Sequence, residues 1–173
     1  MTLALHRPKP DEYAEFYETY IRLVPDSDLL ETLSLQVRQM SEILGSIDAS
    51  TSATLHAPYT WTIKQVLGHL IDCERIFGGR AHRFACGDRQ PLPGIDQDNY
   101  VANQNFETSD LPTLTKEWIH CRQANLMFLN RISSENWNYR GEASGHSFTV
   151  RSLAYILAGH ITHHLNIIKT RVA

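Results

Sequence analysis

His160, His163 and His164 fall in one short stretch, Gly159-His160-Ile161-Thr162-His163-His164. Imidazoles spaced this way on a helix can share one metal ion. At 100° per residue, His160 and His164 are about 40° apart on one face, with Cβ atoms roughly 5–6 Å from each other. His160 and His163 are helical neighbours too, so spacing alone allows two pairs. The apolar stripe separates them. Leu153, Ile156, Leu157, Ile161, Leu165 and Ile168 bracket His160 and His164, whereas His163 falls at the edge. The expectation is therefore His160 and His164 inward and His163 at the rim. A buried histidine also has an ordinary role, hydrogen-bonded to a carbonyl or hydroxyl. H-x-x-x-H lacks the central Glu that makes H-E-x-x-H diagnostic, so both readings stand on this helix alone.

His69 is the candidate third ligand. It flanks the apolar stripe of an earlier helix, in Val66-Leu67-Gly68-His69-Leu70-Ile71-Asp72. Three neutral imidazoles suit zinc, nickel, copper or iron and leave a position for water or substrate. Cys73, one turn after His69, could close the site as a fourth ligand, but in the centre of the stripe it reads equally well as a small core residue. His6, His56, His82, His120 and His146 are expected in solvated tail, loop or polar-face positions.

The elements that must position these residues are helical almost throughout, and no strand or hairpin signal stands out. A short helix is expected from Asp11 to about Leu23, ended by Pro25, and a second from about Asp28 to Leu44. A third follows Trp61, with Thr62 and Gln65 as a capping box and Gly87 as its stop. Its Gly78-Gly79 pair marks either a bend or a close approach. The periodicity breaks from Gly87 to Ser109, a length that implies a crossover or a site-lining segment. A fourth helix spans about Leu111 to Ile132, capped by Asp110. After a polar segment from Ser133 to Phe148, Thr149 caps a last helix reaching about Thr170. Four long amphipathic helices and a short leading one predict an all-α four-helix bundle in one domain, residues 1–173.

With 173 residues, a net charge of -3 and dispersed Lys and Arg, the chain lacks the basic patch of a nucleic-acid binder. No stretch approaches the roughly 20 apolar residues of a membrane span. The N-terminus offers no signal-peptide core, and three cysteines without a C-x-x-C pair argue against a disulfide framework. A cytoplasmic location is the expectation. There is no G-x-S-x-G elbow and no phosphate-binding glycine motif.

Several segments, in order, are similar to one family: Arg7-Pro8, Asp11-Glu12-Tyr13, Trp61 through Asp72, Pro91-Leu92-Pro93-Gly94-Ile95-Asp96-Gln97-Asp98, and Ala158-Gly159-His160 with His163-His164. Together they resemble the DinB/YfiT-like metal-dependent proteins. The resemblance implies a four-helix bundle of up-down-down-up topology, with metal ligands at His69, His160 and His164. It implies a divalent ion, zinc or nickel ahead of manganese or iron, and chemistry ranging from hydrolysis to transfer of low-molecular-weight thiols such as bacillithiol or mycothiol. A homodimer is also implied, and the aromatic residues Tyr13, Phe16, Tyr17 and Tyr20 could serve it or simply pack within the chain.

A three-histidine ion can lower the pKa of water or stabilise a thiolate for attack on a small electrophile. Asp72, Asp96, Tyr100 and Arg80 are the candidate acid–base or substrate-orienting groups, with Pro91 to Tyr100 expected to cover the pocket. Each has a plainer role: Asp72 holding a ligand imidazole, Asp96 capping a short helix, Arg80 reaching out from the bundle. Two non-enzymatic readings stand beside the enzyme: an ion that only pins helices together, and a stress-responsive protein that sequesters a thiol or metabolite.

Overall fold

The computed structural model describes residues 5–172. Seven α-helices are present among them: α1 (Glu18–Ile21), α2 (Leu29–Gly45), α3 (Ala49–Ala53), α4 (Ile63–Ala85), α5 (Gln97–Asn103), α6 (Leu111–Leu129) and α7 (Val150–Val172). The four long ones, α2, α4, α6 and α7, make the bundle. None is long and apolar enough to cross a membrane.

Local chemistry sets their starts. Thr62 Oγ1 accepts from the Gln65 amide at 3.2 Å while Gln65 Oε1 accepts from the Thr62 amide at 2.9 Å, satisfying two orphan donors of α4. Asp28 caps α2, Asp110 caps α6, and Thr149 Oγ1 accepts from the Ser152 amide at the head of α7.

Pairs across the interfaces give the helix directions. Arg75–Glu117 and Gly78–Asn125 advance together, so α4 and α6 run parallel. Trp61–Arg171, His69–His164 and Phe77–His160 run in opposite senses, so α4 and α7 are antiparallel. Gln36 of α2 bonds Ala158 and Thr162 of α7, with Leu33 in the core cluster of Ala158 and Met40 in that of Leu165. Those two helices are therefore parallel, and the order is up-down-down-up. Parallel α4 and α6 require a return along the bundle, which the segment from Cys86 to Asp110 supplies. Gly78 is a close approach rather than a bend: a Cβ there would sit 2.2 Å from Asn125 Oδ1, and α4 continues unbroken.

Two expectations are corrected. The segment from Asp11 to Leu23 is not one helix but two 3₁₀ turns, Pro10–Glu12 and Glu15–Tyr17, followed by α1. Buried Glu12 is tied to the head of α7, accepting from Thr149 Oγ1 at 2.8 Å and Arg151 Nη2 at 2.6 Å. Tyr13 beside it is extended, which ends the turn. The second correction is a β-hairpin, β1 (Arg140–Ala143) paired antiparallel with β2 (His146–Thr149). Four-residue strands are too short to show alternation, and the signal lies in the turn. Ser144 and Gly145 both have positive φ, 54° and 76°, as a primed two-residue turn requires.

The apolar core falls into two clusters, one around Phe77, Phe84 and Leu153 and the other around Leu67, Trp118 and Ile161. A buried polar layer lies where they meet. Arg122 of α6, fully buried, donates to Glu74 of α4, Gln36 and the Leu33 carbonyl of α2, and the Leu157 carbonyl of α7. Its guanidinium also lies over the Trp118 ring, 5.1 Å from the centroid. Removing one partner of a buried pair strands the other charge in a low-dielectric interior, at a cost of about 3–5 kcal/mol. Arg122→Met should therefore lower the stability measured by urea unfolding by about that amount. The double variant Arg122→Met/Glu74→Leu should recover part of the loss. Equal stabilities of the parent and Arg122→Met would contradict this role for Arg122.

Candidate metal centre

His69 projects from the first half of α4, and His160 and His164 from the middle of α7. Their placement depends on close contact of both helices with neighbouring segments. A Cβ at Gly159 would lie 2.1 Å from the Tyr20 carbonyl oxygen, so only glycine lets α1 rest on α7 here. That contact sets the Tyr20 ring edge-on to His160, with centroids 5.1 Å apart, and near His163 at 5.3 Å. The Trp61 ring stands 5.2 Å from His69.

The imidazoles converge through their Nε2 atoms. His69 and His164 each bring Nε2 to 3.1 Å from that of His160, and one donor atom from each of the three residues lies within 4.8 Å of the others. Nitrogen ligands of a tetrahedral ion, bound at about 2.0–2.1 Å, are roughly 3.3 Å apart. A neutral imidazole can donate through only one nitrogen, so His160 Nε2 cannot satisfy both neighbours by hydrogen bonding. The donor set therefore fits a cation held among three lone pairs. His163 is half-buried outside this set, at the rim, as the helical phase predicts.

Burial keeps these rings neutral, the state that can ligate. Desolvation lowers the pKa of His69 to about 4. Burial, with its neighbours His69 and His163, lowers that of His164 to about 3. His160 is held well below the usual histidine range by burial first, then by the adjacent histidines and Arg122.

Cys73 Sγ lies 3.8 Å from His69 Nδ1 and 3.7 Å from its Nε2, beside the ring rather than pointing with the three nitrogens. Burial, with the Asp72 and Glu74 charges, pushes its thiol pKa up, which opposes thiolate formation. Among the described residues, the only group of three or more potential ligands is His69, His160 and His164.

The other candidates are dispersed. Asp72 is buried and accepts from Gln104 Nε2 at 2.7 Å, with its pKa raised by burial. Asp96 caps α5, accepting from the amides of Asp98 and Asn99. Exposed Tyr100 lines a shallow pocket with Asn99, Asn103 and Gln104. Arg80 is buried and braces the crossover, donating to the Pro93 carbonyl at 2.9 Å and Ser144 Oγ at 3.2 Å. Leu92 exchanges backbone hydrogen bonds with Glu142 and Ser144, so the Pro91–Gly94 stretch runs along the hairpin and not over the histidines. The cover comes instead from Tyr20, Trp61 and Tyr59. Tyr17 packs inward on Phe77 and Phe148, while Phe16 is 64% exposed.

The sequence matches the DinB superfamily over residues 19–168. The chain belongs to that superfamily. Among solved structures, it is similar to YfiT from Bacillus subtilis, described as a probable metal-dependent hydrolase with an unusual four-helix bundle topology. The TM-score is 0.69 at 16% identity, over 98% of this chain and 93% of that one. It is also similar to a mycothiol-dependent maleylpyruvate isomerase, with a TM-score of 0.69 at 14% identity, over 84% of this chain and 61% of that one. No curated protein matches the chain with significance. At these identities the likeness to solved structures is one of fold, and it agrees with the helix directions derived above.

The depressed histidine pKa values have a thermodynamic consequence. Unfolded histidines titrate near 6.5, whereas His69 and His164 stay neutral down to about 4 and about 3. Below pH 6.5 the unfolded chain therefore binds more protons, and stability falls with falling pH. Urea midpoints of chelator-treated protein should hold steady above about pH 7 and decline between about pH 6.5 and 5, above the carboxylate range. A flat profile across that window would show that the imidazoles are not buried neutral.

Proposed function

We propose that this protein is a metal-dependent enzyme that activates a thiol or water against a small electrophile, as a low-molecular-weight-thiol S-transferase or a hydrolase. His69, His160 and His164 would hold one divalent ion, zinc or nickel before manganese or iron. The convergence of their three Nε2 atoms carries this reading. Three protein donors without a fourth are the pattern of a catalytic centre, since structural sites are usually closed by four. A divalent ion in such a set supplies Lewis acidity, bringing the pKa of water or a thiol toward neutrality.

The chain's own groups do the rest. Tyr20 and Trp61 wall the histidines and restrict water, which strengthens electrostatic interactions inside. Asp72, three residues after His69, is the proposed proton carrier. Its raised pKa suits a carboxyl that exchanges protons, and Gln104 fixes its orientation. Arg80, Asp96 and Tyr100 are assigned a lesser part, in shaping the crossover. The neighbours support the class of chemistry by name, one described as a probable metal-dependent hydrolase and the other as a mycothiol-dependent isomerase.

The test begins with metal. His69→Ala, His160→Ala and His164→Ala should each lose stoichiometric zinc or nickel by elemental analysis, while His163→Ala keeps it. Retention by His160→Ala would break the ligand assignment. Reloaded parent protein should then conjugate bacillithiol, mycothiol or glutathione to an activated aromatic chloride, or hydrolyse an activated ester, with Asp72→Asn slower by about 10²–10⁴-fold. Metal that restores melting temperature but supports no turnover of either kind would favour a sequestering protein over an enzyme.

A further inference from the structure

We infer that Arg171 is the anion-binding end of a small cavity whose other end is the metal centre, so that the molecule bound there carries a carboxylate. The inference rests on the function proposed above, in which His164 holds the ion. The cavity has a volume of about 110 Å³ and lies between the approach to α4 and the end of α7, with Tyr59, Trp61, Val66, His164 and Arg171 among its walls. Pockets for drug-sized ligands run to roughly 300–1,000 Å³, so this one takes a small molecule. His164 and Arg171 are two turns apart on α7, a rise of about 10 Å. A short bifunctional molecule would therefore meet the ion with one group and the guanidinium with the other.

The state of Arg171 points to an anion. Its Nη2 donates to the Trp61 carbonyl at 2.9 Å, with His56 Nδ1 at 3.4 Å. Its Nε and Nη1 are buried and have no acceptor among the described residues. Six ion pairs form among those residues, and Arg171 is in none of them. Among the described residues, no Asp or Glu lines the cavity. Buried donors without acceptors are rare because each forfeits its hydration without replacement, and charged donors forfeit most. The half-buried Tyr59 ring lies over the guanidinium, its centroid 4.8 Å from Arg171 Cζ.

Charge and shape narrow the ligand. A cavity with a cation at each end selects a negative group, and a planar guanidinium pairs best with a planar carboxylate. Val66, Ile167 and the Trp61 ring supply an apolar middle. The carboxylate could belong to the electrophile or to the thiol that attacks it, and two probe pairs separate these sources.

The experiment is titration calorimetry on zinc-loaded and on metal-stripped protein. Succinate is compared with succinamate, and 3-mercaptopropionate with 3-mercaptopropionamide. Each pair keeps the group that meets the metal and exchanges the distal carboxylate for an amide. The parent should prefer the distal carboxylate by about tenfold, the size of one charge-assisted hydrogen bond. Arg171→Gln should erase that preference and Arg171→Lys should keep part of it, while both retain stoichiometric zinc. A larger preference in the succinate pair assigns the carboxylate to the electrophile, and in the mercapto pair to the thiol. An undiminished preference in Arg171→Gln, no preference in the parent, or tighter binding of inorganic phosphate than of either carboxylate would overturn the inference. Failure to load zinc would instead count against the metal centre. The metal-stripped titrations would then still decide the role of Arg171, since the guanidinium does not depend on the ion.

Discussion

The fully buried guanidinium of Arg122 is the interaction on which the register of the bundle depends. It reaches all three other long helices, through Glu74 on α4, Gln36 and the Leu33 carbonyl on α2, and the Leu157 carbonyl on α7. An apolar interface tolerates sliding, because one leucine contact resembles the next. A planar fork with fixed donor directions does not, and a one-turn slip of any partner would leave a charge or carbonyl unpaired in the interior. Glu74 lies five residues after His69, and Leu157 three before His160, so the bonds that align α4 with α7 also align the imidazoles. Gln36 extends this hold by donating to the Ala158 carbonyl at 2.7 Å and Thr162 Oγ1 at 3.1 Å, on either side of His160.

The same arrangement makes the histidines good ligands. They sit where two apolar clusters meet, deep enough for burial to favour the neutral ring, and Arg122 adds positive potential that further opposes protonation of His160. Around them the rings of Tyr20 and Trp61 pack against His160 and His69, with centroids 5.1 and 5.2 Å away. Glycine at position 159 is what permits this, because any larger residue would push the Tyr20 backbone off α7. Cys73 stays a core residue by the same logic: its apolar surroundings disfavour the thiolate needed for ligation.

Much of this was legible in the sequence because helical periodicity is a strong signal over long segments. The capping box at Thr62 and Gln65, the cap at Thr149 and the inward phase of His160 and His164 all follow from spacing. The hairpin at Arg140–Thr149 was not, since its strands are too short to alternate and its information lies in Ser144-Gly145. The break in the leading segment was also hidden, because Glu12 bends the chain through tertiary bonds to Thr149 and Arg151 that no local pattern shows. Arg122 left a readable trace: it is four residues after Trp118 and eight after Leu114, a charge in the phase of an apolar stripe. The crossover expected to cover the site braces the hairpin instead, and only the backbone pairing of Leu92 with Glu142 and Ser144 reveals that.

Three imidazoles alone, held by this register, are the proposed protein ligands of one ion. X-ray absorption at the metal edge of zinc- or nickel-loaded protein tests it most directly. The expected first coordination shell contains light atoms only, with three imidazole nitrogens at about 2.0–2.1 Å. A sulfur neighbour at about 2.3 Å, which would bring Cys73 into the centre, or a spectrum without imidazole scattering would contradict it.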